Sequence, residues 1–282
     1  VYDTHEIYTE TITQAANKTL PIKIAIFFAQ RWYRLIENQI IRTASVVVTV
    51  NYSVAQWFQN KYHISLPVVI MNTPENVNLE IKNVLREKLQ LPATSIIVIY
   101  QGMFRSGVGI LPILESVTHW VPNLHLAIIG YGPLEPKMRA LVEKLRIGSR
   151  VNFIGPIPPD KLLTFTAGAD IGLVPIEPVN LSKKFSFANK FFEYMAAGVP
   201  IIASDIPENR RMIEEVHCGI LFPSLDPREM AETINSFAKN PARAGMGKLG
   251  REAAQSKYNW PSESKKLIGL YQQILSKTSE TR

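Results

Sequence analysis

From Ile96 onward the chain alternates short β-branched runs with amphipathic stretches, and that alternation leaves few folds open. Ile96–Gln101, Leu124–Gly130, Val151–Gly155, Ile171–Pro175, Val199–Ser204 and Gly219–Phe222 read as strands. Between and after them Ile110–His119, Glu135–Leu145, Lys161–Ala167, Phe187–Ala197, Glu208–Glu215 and Pro227–Lys239 read as helices. Strands joined through helices must run parallel, and a parallel sheet is covered on both faces, so the class is α/β. Ligands of such sheets sit beyond the carboxyl ends of the strands. That draws Gly102–Gly109, Gly130–Pro133, Gly155–Pro159 and Pro175–Asn189 around one crevice.

The part before Ile96 is a second, shorter version of the pattern. Ser45–Val50 and Val68–Asn72 suit buried strands, and Tyr52–Tyr62 between them suits a helix with Val54, Trp57 and Phe58 on one side. The polar, proline-bearing segment Asn72–Asn76 is the expected linker. A chain of 282 residues fits roughly two domains, each able to bury a core. We expect boundaries at 1–74, 75–258 and 259–282, the last being a terminal helix after Trp260-Pro261, with Ser262 as its cap. The chain opens at Val1, inside what reads as a strand, so the start of the first domain is expected to be missing.

Composition narrows the function. The net charge of +7 is scattered in pairs such as Lys183-Lys184 and Arg210-Arg211, which argues against nucleic acid and fits a small anion or an anionic surface. Cys218 is the only cysteine, so no internal disulfide forms, in keeping with a cytoplasmic setting. No apolar run spans a bilayer, nothing at the start reads as a signal peptide, and neither HExxH nor paired CxxC offers a metal site. No cofactor is expected.

Two stretches carry chemistry. Gly102-Met103-Phe104-Arg105-Ser106-Gly107-Val108-Gly109 follows a strand and opens a helix, so glycine backbone and helix N–H groups can approach an anion. Neither this loop nor Gly130-Tyr131-Gly132-Pro133 is a GxGxxG fingerprint, which demotes a nicotinamide dinucleotide. In Asn189–Asp205, a short helix meets a glycine stop at Gly198 and then a buried strand, with Ser186 as the expected N-cap. Lys190, Glu193 and Ala197 share one helix face. A cation and a carboxylate one turn apart suit a ligand bearing both phosphate and hydroxyl groups. A plain surface pair, contributing about 0.2–0.5 kcal/mol, fits the spacing equally well.

The wording Lys-Phe-Phe-Glu-Tyr-Met-Ala-Ala-Gly-Val-Pro from Lys190, continued by Ile-Ile-Ala-Ser-Asp-Ile-Pro-Glu from Ile201, resembles the donor-site signature of retaining glycosyltransferases of family 4. The resemblance implies the GT-B fold, two Rossmann-like parallel-sheet domains, here with the N-terminal one incomplete. It places Glu193 on the ribose of a UDP- or GDP-sugar and Lys190 near its diphosphate, with Gly102, Arg105, Gly107, Gly109, Gly130 and Phe187 around the donor. In the segment Tyr2-Asp3-Thr4-His5-Glu6 it implies that His5 approaches the transferred sugar, with Asp3 orienting it and Glu6 beginning a helix. Two positions depart from the family pattern: Val108 stands where an Arg or Lys is usual, and Phe185 where a second glutamate is usual. Backbone N–H groups at Phe185–Phe187 are the expected substitute.

The function implied is transfer of a sugar, with retention and without a metal, to a glycan or lipid-linked acceptor. The alternatives are a sugar-nucleotide-binding module without turnover and a GT-B-fold epimerase. Leu20–Ile41 carries Ile24, Phe27, Phe28, Trp32, Leu35 and Ile36 among Lys23, Arg31 and Arg34. It can lie on a membrane surface, giving peripheral contact at the inner face. The preferred expectation is a core-facing helix with snorkelling cations.

Overall fold

The structure, a computed structural model, describes residues 1–7, 20–75 and 84–280. It divides into two compact units. The first holds Val1–Asn72, Pro178–Phe187 and Pro261–Arg282, and the second holds Thr73–Glu177 and Ala188–Trp260. Pro178–Phe187, which the sequence places inside the second domain, groups with the first.

Among the described residues of the first unit, β1 (Tyr2–Thr4), β2 (Val47–Thr49) and β3 (Val68–Val69) form a parallel sheet in that order. Its core gathers Ile7, Ile41, Val47, Val54, Phe58 and Tyr62, with Leu181 and Phe185 packed against them. Asn51 caps helix Tyr52–Tyr62 by accepting from Val54 N at 2.9 Å. The long helix Leu20–Thr43 is tied down near its C-terminal end. There the buried Glu37 accepts from Tyr2 Oη at 3.3 Å and from Tyr62 Oη, so its charge is not left without partners.

The rest of that helix corrects the core-facing expectation. Trp32 is 68% exposed, Phe27 and Phe28 62%, Leu35 59%, and Ile24 and Ile36 are also exposed. The reason is length: 24 residues span about 36 Å, and strands of two or three residues offer core to only the last turns. The helix expected from Glu6 is not there at its start, since Glu6 lies in a bend, and residues 8–19 are outside the described ones. Asn76, the end of the expected linker, is outside them too.

In the second unit β4 (Ile96–Met103), β5 (Leu124–Tyr131), β6 (Val151–Gly155), β7 (Ile171–Val174), β8 (Ile201–Ser204) and β9 (Gly219–Phe222) lie in the order β6-β5-β4-β7-β8-β9. All pairings among these strands are parallel, as the alternation requires. Val98, Tyr100, Leu126, Ile128, Ile171 and Leu173 are fully buried in one continuous core. Each half of the order grows outward from the centre: β4, β5 and β6 one way, β7, β8 and β9 the other.

Several expected ends shift. Helix Asn189–Ala197 begins after an extended Ala188 with no side-chain cap, and Ser186 Oγ instead donates to Lys183 O at 2.9 Å. Helix Pro207–Val216 starts one residue before the expected Glu208, with Ile206 as its N-cap. Ser262 is already inside helix Trp260–Glu280. A helix not expected from the sequence, Arg243–Ser256, packs its small side against helix Asn189–Ala197. There a Cβ on Gly247 would stand 2.2 Å from Gly198 O.

Candidate functional site

The strand order reverses between β4 and β7, so no single crossover closes over their carboxyl ends. Helix Asn189–Ala197 delivers two charged side chains there. Lys190 Nζ lies 3.7 Å from the centre of the Tyr100 ring, and a Cβ on Gly102 would stand 3.5 Å from that nitrogen. Burial pushes the Tyr100 phenol well above its ordinary value, so the ring stays neutral and offers its face to the cation. Three residues on, Glu193 Oε2 accepts from Gln101 Nε2. Gln101 Oε1 in turn accepts from Thr166 Oγ1 at 2.8 Å.

The neighbour of Glu193 locks the arrangement. Tyr194 is fully buried, its hydroxyl accepts from Gln101 N at 3.2 Å, and it lies 3.3 Å from Ile99 O and 3.4 Å from Leu173 O. Burial raises the Glu193 carboxyl above the ordinary 4.5, while the Gln101 hydrogen bond and the Lys190 charge pull the other way. Lys190, Glu193 and Gly102 are thus brought together at one strand end.

Gly130 joins them from β5. It pairs in register with Gly102 and has φ 134°, and a Cβ on it would stand 2.0 Å from Gly102 O. Only glycine allows the two strand ends to approach this way. In the loop after β4, Glu177 holds both glycines: Gly109 N donates to Glu177 Oε1 at 3.1 Å, and Glu177 N donates to Gly107 O at 3.3 Å. The Gly109 amide is therefore already bonded. Arg105 is exposed and close enough to Tyr100 to oppose the rise in its pKa. Val108 packs against the core.

The other expected residues lie in the first unit. His5 Nε2 is 3.5 Å from Asp3 Oδ2, with the two side chains 52% and 58% exposed. Phe187 also belongs to that unit. Two of the three amides expected to replace a second glutamate are engaged: Phe185 N donates to Leu181 O at 3.0 Å and Ser186 N to Lys183 O at 3.3 Å. Phe185 itself packs on the core, and its carbonyl accepts from Asn51 Nδ2 at 3.0 Å. Among the described residues, no group of three His, Cys, Asp or Glu could hold a metal ion.

Sequence reasoning misses Gln101, Thr166 and Glu177. One signal was available for Gln101, an amide ending a run of five apolar or aromatic residues, Ile96-Ile97-Val98-Ile99-Tyr100. The others leave no local trace.

The sheet order defines a doubly wound α/β protein, and Lys190 and Glu193 stand at its switch point. The profile of the family described as "Glycosyl transferases group 1" matches residues 81–255, and the chain belongs to that family. A D-inositol 3-phosphate glycosyltransferase of Xylanimonas cellulosilytica is 22% identical over 221 residues, covering 76% of this chain and 52% of its own length. A phosphatidyl-myo-inositol mannosyltransferase of Mycobacterium leprae is 24% identical over 217 residues, covering 74% and 55%. The chain thus spans about half the length of the curated relatives it matches. Among solved structures, sucrose-phosphate synthase from Thermosynechococcus elongatus superposes with a TM-score of 0.73 at 24% identity, covering 94% of this chain and 64% of that one. Anabaena HepE in complex with UDP gives 0.69 at 17% identity, covering 99% and 71%. The fold is the α/β, GT-B type that the signature implied.

Proposed function

We propose that the chain carries the donor-binding part of a retaining family 4 glycosyltransferase, which moves a sugar from a nucleoside diphosphate to an acceptor. The observation that carries this reading is the convergence of Lys190 and Glu193 on the end of β4, a cation beside Gly102 and a carboxylate beside Gln101. Family membership supports the reaction class. Glu193 takes ribose hydroxyls, each charge-assisted bond contributing roughly 1.5–3 kcal/mol. Lys190 and Arg105, with Gly102, Gly107, Gly109 and Gly130, surround the diphosphate, and neutralising it also stabilises it as a leaving group. Attack comes from the face the nucleotide leaves, with the departing phosphate taking the acceptor's proton, so the protein needs neither a nucleophile nor a metal. The family resemblance assigns Phe187 to the donor and His5 to the transferred sugar.

The acceptor in this reading is a glycan or a lipid-linked molecule, met at the cytoplasmic side of a membrane. The exposed apolar face of helix Leu20–Thr43, with cationic Arg31, Arg34 and Arg42 on the same helix, supports peripheral contact with anionic lipid. Among the described residues no helix is long and apolar enough to cross a membrane.

Calorimetric titration with UDP- and GDP-sugars tests the donor role. Wild type is expected to bind one of them, and Glu193→Ala to weaken that binding by about ten- to a hundredfold. Undiminished binding by the variant removes Glu193 from the role.

A further inference from the structure

Gln101 is 1% exposed, third from the carboxyl end of β4, after five apolar or aromatic residues. An aliphatic side chain would pack there without the desolvation cost of an amide, so the amide needs a reason. Its bonds supply one. Nε2 donates to Glu193 Oε2, Oε1 accepts from Thr166 Oγ1 at 2.8 Å, and the backbone N–H donates to Tyr194 Oη at 3.2 Å. Helices Pro159–Thr166 and Asn189–Ala197 therefore hold the residue from two sides.

We propose that Gln101 is a positioning residue for ribose recognition: it fixes the Glu193 carboxylate through Oε2 and leaves Oε1 to a ribose hydroxyl, while Thr166 steadies the amide from behind. This rests on the donor-site reading of Glu193. Fixing the carboxylate before the ligand arrives removes rotamer freedom that binding would otherwise have to remove.

The proton arrangement sharpens the inference. Thr166 Oγ1 has one hydrogen and two acceptors at 2.8 Å, Gln101 Oε1 and Leu162 O. With the hydrogen on Gln101, the amide N–H points at an ionised Glu193. With the amide turned over, its N–H meets Thr166, the hydroxyl goes to Leu162 O, and the amide oxygen accepts only from a protonated Glu193. The same heavy atoms thus serve either form of the carboxyl, and a ribose hydroxyl that donates to Glu193 selects the first. Lys190 is the charged group that acts on Glu193 among the described residues, with Tyr194 and Tyr100 the titratable neighbours on its helix and on β4.

The experiment compares UDP with 2′,3′-dideoxyuridine diphosphate by calorimetry on the full chain across pH, using the guanosine pair if UDP does not bind. Wild type is expected to favour the ribonucleotide by about tenfold or more, and Glu193→Ala to lose that preference. Gln101→Met is expected to cut the preference to about threefold or less with the dideoxy affinity unchanged. Its remaining preference should also fade at a higher pH than in wild type, because the ionised carboxyl has lost a donor. Thr166→Val should act in the same direction to a smaller degree, and it decides the matter if Gln101→Met does not fold. If both variants keep the preference and its pH profile while Glu193→Ala loses them, Gln101 only packs and the proposal falls, leaving the role of Glu193 intact. An equal loss of both nucleotides' affinity in Gln101→Met also overturns it. If Glu193→Ala keeps the preference, or neither nucleotide pair binds wild type, the donor-site reading falls and takes this inference with it.

Discussion

Burial raises the Glu193 carboxyl above the ordinary 4.5 because loss of water outweighs the Gln101 bond and the Lys190 charge. A carboxyl whose pKa is higher in the folded chain supports folding below its unfolded value, and that support is lost as pH rises through the folded one. At neutral pH the ionised side chain therefore weighs against the fold. Glu193→Gln is expected to raise Tm at about pH 7.5 while weakening nucleotide binding, with the Tm gain gone near pH 4. Scanning calorimetry at the two pH values checks this, and an equal gain at both would contradict it. Tyr194→Phe removes the acceptor of Gln101 N and leaves a buried donor unpaired, which is expected to cost about 1–3 kcal/mol in urea denaturation. Helical spacing puts Lys190 and Glu193 on one face, which a plain surface pair would fit equally well; what singled them out in the sequence is the family resemblance of the stretch that begins at Lys190. Gln101 and Glu193 are 92 residues apart, and nothing local in either segment announces their bond.

At the scale of elements, helix Leu20–Thr43 presents an apolar face that the described core does not use. Phe28→Ser combined with Trp32→Ser is expected to reduce co-sedimentation with anionic phosphatidylglycerol vesicles severalfold. Tm should change little, since both side chains are more than half exposed. Retained vesicle binding would remove this face from membrane contact. The strands from Ile96 onward were legible because β-branched runs of strand length leave little choice of period. Helix Arg243–Ser256 was not, because Gly245, Gly247 and Gly250 read as loop residues although two of them let it pack closely. The burial side of Leu20–Thr43 was also misread: periodicity shows that a face is apolar and says nothing of what covers it.

At the scale of the molecule, neither unit is a continuous stretch of chain. In the first, Glu263 of the last helix is 1% exposed and accepts from Met71 N at 3.0 Å, while Lys266 Nζ meets its other oxygen at 2.6 Å. Glu263→Ala leaves the Met71 amide without its acceptor. Hydrogen exchange is therefore expected to quicken at Met71 and in β3, with the amides of β4–β9 unchanged. Uniform quickening would mean that the two units unfold as one. On the other side of the same passages, Trp260 N donates to Pro74 O at 2.9 Å within the second unit. The segment Pro178–Phe187, whose Leu181 and Phe185 sit on the first unit's core, bears on how such a protein can be recombined. A chimera spliced only at the linker near Asn72 would import a foreign Leu181 and Phe185 into a host interior shaped for other side chains. Moving the second unit between homologues thus calls for exchanging the pieces on either side of Pro178–Phe187 and keeping the host's own version of that short stretch.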